Sequence, residues 1–262
     1  MDDHRSGRSA SRGSVIFGIS IVVLLIAALI GAFWWQAAEK HRRTAPETIE
    51  AELVKDPFAG RLFATMKQTH PKDLAEFTRR MSKLMRDGSS LDHIRTESYE
   101  FLRKTGEGQV AQIVQAPHAE LAEVRKTQKA LLTELESHDV MLCARFAMTG
   151  SVFVNSAQNE IRPLLIDASI AAWKAAAAGR DRPAKRAIPK TWGQDDGAML
   201  IEAMRKAGMS DVDLQVFASP YGMQSAPAWR QCAIGVYLWT ALDALPADKA
   251  DMATAMIITQ AN

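Results

Sequence analysis

The chain has 262 residues and a formal net charge of +2, with 47% hydrophobic and 24% charged residues. That composition excludes wholesale disorder, and so small a net charge gives no electrostatic case for nucleic acid as a partner. With 12 methionines but only 3 tyrosines, and with threonine and isoleucine sparse outside one apolar run, the balance favours helix over strand.

Residues 1–14 form a short N-terminal tail. From Val15 to Trp35 no residue is charged and only Ser20 is clearly polar. At 1.5 Å per residue this run extends about 31 Å, enough to cross the hydrocarbon core of a bilayer. Trp34 and Trp35 close it, where amphipathic rings favour the headgroup level, and Arg42 and Arg43 follow at once. A cleaved signal peptide would carry a shorter apolar stretch and small residues at −3 and −1, but cleavage near Ala32 or Ala37 would put Ile30 or Trp35 at −3. The run is therefore read as an uncleaved transmembrane anchor contacting membrane lipid.

Arg5, Arg8 and Arg12 precede the anchor while Lys40, Arg42 and Arg43 follow it, so the positive-inside comparison is close to a tie. The free amino terminus tips it towards a cytoplasmic tail and an extracytoplasmic C-terminal domain (periplasmic if the cell is bacterial, with the anchor in the inner membrane). Ala27 and Gly31 form a small-xxx-small pair through which two anchors could dimerise.

Residues 36–46 read as a basic juxtamembrane connector, and 47–262 as an all-α soluble domain of bundle-like character. Asp56-Pro57 is an N-cap with proline at N1, opening a helix with Phe58, Leu62, Phe63 and Met66 on one face. His70-Pro71 ends that helix and starts the next, in which Leu74, Phe77, Met81 and Leu84 recur at helical spacing until Gly88. Ser90 caps a third helix ending at Gly106. After Pro117, Leu121, Val124, Gln128, Leu131 and Leu135 mark a longer amphipathic helix rather than a coiled-coil seam, because Gln128 interrupts so short a repeat.

Met141, Leu142, Cys143 and Phe146 continue the helical pattern up to Gly150, while Ser151–Asn155 alternates too briefly for a strand. Ala157–Ala178 reads as helix, with Pro163 kinking it or marking its first turn. Asp167 and Lys174 make it a poor second membrane span.

The clearest internal break lies near 179–192, where two subdomains could part. It contains Pro183 and Pro189 together with Arg180, Arg182, Lys185, Arg186 and Lys190. Such a loop is ordinarily a solvated connection; its functional reading is a site for an anionic partner. A helix from about Asp195 to Ala207 follows and stops at Gly208. Ser210 with Asp213 resembles a capping box, and Ser219–Gly222 is a turn. Pro227–Leu245 is the most apolar helix of the domain, with Trp229, Cys232, Val236, Trp239 and Leu242; its uncharged run, Gln231 to Leu242, is too short to span a membrane and reads as the central core helix, and after Pro246 a last helix carries Met252, Met256 and Ile257.

Two cysteines are too few for a disulfide framework and have no metal-ligand spacing. Cys143 and Cys232 each sit on an apolar helix, so either one bridge or two buried thiols fits the pattern.

Chemistry is hard to find. The chain lacks a G-x-S-x-G elbow, an S-x-x-K motif, H-E-x-x-H and a phosphate-binding glycine loop. Ser137-His138-Asp139 holds triad residue types, but consecutive residues project in different directions. The six histidines are isolated in sequence, and no catalytic residue, cofactor or metal is assigned. An anchor, a large helical domain and no visible chemistry imply a non-catalytic interaction, assembly or accessory component of a membrane or envelope complex, working with a protein partner. The rival readings are a membrane-tethered envelope enzyme whose site is built from scattered residues, and a helical domain that binds a ligand or lipid.

Overall fold

The computed structural model describes residues 44–150, 160–219 and 221–260. The anchor at 15–35, Trp34, Trp35, Arg42 and Arg43 at its border, the Ala27–Gly31 pair and the Ser151–Asn155 segment lie outside the described residues. Within them, all regular structure is helical: α1 (Pro46–Lys55), α2 (Gly60–Thr69), α3 (Pro71–Arg86), α4 (Leu91–Gly108), α5 (Val110–Ile113), α6 (His118–His138), α7 (Val140–Thr149), α8 (Ile161–Asp181), α9 (Gln194–Lys206), α10 (Asp211–Ala218), α11 (Gly222–Ser225), α12 (Ala228–Asp243) and α13 (Ala247–Gln260). Among the described residues no helix is long and apolar enough to cross a membrane.

Most boundaries follow from local chemistry. Proline opens α3, whose fixed φ suits a position where the backbone N–H has no intrahelical partner. Ser90, Asp139 and Ser210 accept backbone N–H bonds at the starts of α4, α7 and α10, and the Ser210–Asp213 box is reciprocal. Pro163 lies in the first turn of α8, where it costs no hydrogen bond.

Three expectations need correction. Asp56 does cap, accepting from Phe58 and Ala59 N–H, but the cap closes a turn and α2 begins only at Gly60. Phe58 is consequently on the surface, with the Arg162 guanidinium 5.5 Å from its ring centre. Residues 46–55, given to the connector and to an unassigned stretch, form helix α1, which buries Ile49 and Leu53. Trp229, counted among the apolar residues of the core helix, is 56% exposed.

The helices α6 and α8 pack against each other at the centre. On one side α8 meets α2 and α5, and α2 leads to α1 and α3. On the other side α6 meets α12, α7 and α13, with α9, α10 and α11 beyond α12. Burial on several faces explains why α6 and α8 hide Leu121, Val124, Leu131, Leu132, Leu135, Leu165, Ile166 and Trp173 almost completely. Each such side chain contributes roughly 1.5–3 kcal/mol of transfer free energy. Phe63, Phe77 and Phe101 add a run of ring contacts at 5.8 and 5.5 Å that ties α2, α3 and α4.

A β-carbon on Gly179 would lie 1.8 Å from the Gln112 carbonyl oxygen, so α8 reaches α5 only because the position is glycine. Buried residues on both sides of the 182–193 connection belong to one apolar cluster running from Ile49 to Ile258.

Candidate functional site

The connection after α8 is held to the molecule rather than left in solvent. Gln115, between α5 and α6, donates from Nε2 to the Arg186 carbonyl at 2.8 Å and accepts the Arg186 N–H at 2.7 Å. The Ala184 N–H donates to the Gln115 carbonyl at 2.8 Å. Together these three bonds fix an extended stretch against the start of α6, much as a strand edge would.

The Arg186 side chain then turns inward and is only 10% exposed. It donates to the Val114 and Ala116 carbonyls and reaches Asp251 Oδ2 at 3.2 Å. The other oxygen of Asp251 accepts from Arg125 Nη1 at 2.9 Å and lies 3.0 Å from His118 Nδ1. Thr254 Oγ1 also accepts from Arg125, and Asp243 stands 4.0 Å from Arg125 Nε. Two buried guanidinium groups thus share one buried carboxylate, with a second carboxylate nearby to offset the surplus charge. Both oxygens of Asp251 are occupied by cationic donors. Its role is that of a clamp, since both oxygens are taken up in holding α6 and the 184–186 stretch to α13.

Of the five basic residues in the break, Arg186 is internal. Arg182 pairs with Glu120 at 2.7 Å, and Arg180 pairs with Asp181 while donating to the Thr69 carbonyl. Lys185 and Lys190 are exposed, and Lys185 has a left-handed backbone with φ 53°. An anionic partner at this loop would therefore meet the two lysines first.

The structure brings Cys143 of α7 and Cys232 of α12 together as a disulfide with a Cα–Cα distance of 5.2 Å and a sequence separation of 89. Both residues are fully buried. Gly235, one turn further along α12, lets the same two helices approach closely, since a β-carbon there would sit 2.7 Å from Ala147 Cβ.

His70, at the α2–α3 junction, is buried against Trp173 with ring centres 4.7 Å apart, and its Nδ1 lies 2.9 Å from Thr69 Oγ1. Burial, reinforced by the nearby Arg180 charge, holds its pKa below the ordinary 6.5, against the opposing pull of Asp73 and Asp181.

Ser137, His138 and Asp139 do not act together. Ser137 Oγ donates to the Glu134 carbonyl, and Asp139 caps α7. His138 Nε2 instead lies 2.7 Å from Glu134 Oε1 and 3.2 Å from Glu160 Oε2. The Glu134–His138 half of this grouping is an i, i+4 pair and was visible in the sequence, although a search for H-E-x-x-H passes over it. Glu160 arrives from the start of α8, and no local pattern announces it.

At the end of the molecule formed by α10, α11 and the start of α12, apolar side chains remain uncovered. Helix α10 has no fully buried residue: Leu214, Val216 and Phe217 pack partly buried against the core, and Val212 faces outward. Val212, Tyr221 and Trp229 are all more than half exposed. Asp213 pairs with Arg230 at 3.1 Å, which ties α10 to the start of α12, and the Arg230 guanidinium lies 4.8 Å from the Trp229 ring centre.

Compared with known protein families, with curated proteins and with solved structures, the chain matches none.

Proposed function

We propose that this is a single-pass membrane protein whose helical domain works outside the cytoplasm as a non-catalytic interaction or assembly component of a membrane or envelope complex. The observation that carries the interaction reading is the uncovered apolar end built by α10, α11 and the start of α12. Val212, Tyr221 and Trp229 are each more than half exposed there although Leu214, Val216 and Phe217 beside them pack partly against the core, and a protein partner would supply cover for the exposed three. Tyr221 and Trp229 suit that role, because large amphipathic rings contribute contact area at low entropic cost.

Two further features support the location. The uncharged run from Val15 to Trp35 has the length of a membrane anchor. The Cys143–Cys232 disulfide is a bond that persists in oxidising compartments. The ionic groups at the centre of the domain fit the same reading, since Asp251, Arg125 and Arg186 are consumed by one another.

Photo-crosslinking in native membranes tests the proposal. A photoreactive residue at Tyr221 or Trp229 is expected to give a discrete heavier adduct, while the same residue at Lys83, on α3 at the other side of the fold, gives none. Recovery of monomer alone from all three positions would contradict it.

A further inference from the structure

We propose that Glu134, His138 and Glu160 form a zinc site that clips the end of α6 to the start of α8. The three side chains each offer one ligand atom, and these atoms lie within 4.8 Å of one another. One nitrogen, His138 Nε2, faces two carboxylate oxygens, at 2.7 Å from Glu134 and 3.2 Å from Glu160. A single N–H can align well with only one of those oxygens, whereas a divalent cation near the same point engages all three donors. Ligands held at 2.0–2.1 Å from tetrahedral zinc sit about 3.3 Å apart, so small side-chain rotations seat the ion without moving either helix.

The donor set selects the metal. One imidazole and two carboxylates suit zinc better than calcium or magnesium, which take oxygen ligands, and the lack of a thiolate disfavours copper(I). Zinc is also redox-inert, so the site needs no electron donor. Position adds a second electrostatic argument. Glu134 and His138 stand at the C-terminal end of α6, where unpaired carbonyls give the helix its negative pole and a cation is favoured. Glu160 precedes the first residue of α8, at the positive pole of that helix. Its side chain is 75% exposed, leaving the ion open to solvent on that side, where water completes the coordination.

Such an ion would close the chain between α6 and α8, a segment that includes α7 and its disulfide. Its binding energy would then appear as stability of the native fold.

The test is a zinc titration of the full-length, disulfide-intact protein in competition with a colorimetric zinc indicator, paired with thermal melts. We expect one zinc per chain with a Kd of about micromolar order, and a Tm higher by about 5 °C at a hundredfold excess over Kd. His138→Ala and Glu160→Gln should each weaken binding by at least about tenfold and cut the Tm rise at the same zinc concentration by about half or more, with unchanged circular dichroism in the absence of zinc. His93→Ala, an exposed histidine on α4, should leave binding as it was. Binding no tighter than about 100 µM, or tight binding that survives both variants, would overturn the proposal.

Discussion

At the scale of single residues, the domain depends on a few side chains whose polar groups are satisfied far from their sequence neighbours. Asp251 is the clearest. It neutralises Arg125 and Arg186 from α13, and removing it leaves two guanidinium groups buried beside each other with only Asp243 near. Asp251→Ala is therefore expected to cost about 3–5 kcal/mol, measured as a lower midpoint in urea unfolding, and to loosen the 184–188 stretch that Arg186 pins. Lys185→Ala, on the exposed side of the same loop, should cost well under about 1 kcal/mol. His70 yields a second prediction, with a definite sign. Its native pKa lies below 6.5 while the unfolded chain titrates at the ordinary value, so the unfolded state binds more protons in the interval between. Stability should fall as pH drops below about 6.5, by at most ~1.4 kcal/mol per pH unit, until the native His70 itself protonates. Above that interval the group makes no pH-dependent contribution. His70→Gln should flatten this part of the urea-unfolding profile, and an unchanged slope would show that other groups carry it.

Among the elements, helix punctuation was largely legible. His70-Pro71, Gly88, Ser90, Pro117, Gly150, Gly208 and the Ser210–Asp213 pair mark boundaries the structure keeps, because caps, prolines and left-handed glycines act within a few residues. Helix α1 was not legible, since two buried apolar residues among polar ones leave a faint periodic signal. The exposure of Val212 and of Trp229 was equally hidden, because burial depends on which helix arrives opposite and the sequence does not say. Distance in the chain hides the sites as well. Arg186 meets Asp251 across 65 residues and Glu160 meets His138 across a whole intervening helix, so the basic loop looked solvated and the histidine isolated. The joining of α7 to α12 has a measurable consequence. Cross-linking residues 89 apart removes unfolded-state entropy worth about 4–5 kcal/mol in the chain-entropy model. Reduction, or the double substitution Cys143→Ala with Cys232→Ala, should lower unfolding stability by a few kcal/mol in chemical denaturation. Helical circular dichroism at room temperature should persist, since α6, α8 and α12 keep their apolar contacts.

For the molecule as a whole, the proposed anchor precedes a domain with a continuous core, an internal disulfide, a buried ionic clamp and an end where Val212, Tyr221 and Trp229 stand exposed. That end lies beyond α12, while α1, the first described helix, packs on α2 and α3. Everything in that picture depends on the domain residing outside the reducing cytoplasm. The measurement that tests this most directly is acid-quenched thiol alkylation of whole cells, followed by mass analysis of the protein. The account predicts that Cys143 and Cys232 remain unmodified by the alkylating agent after denaturation and acquire it only when a reductant is added first. Full alkylation of both thiols without reductant would place the domain in a reducing compartment and contradict the proposed location and, with it, the envelope role.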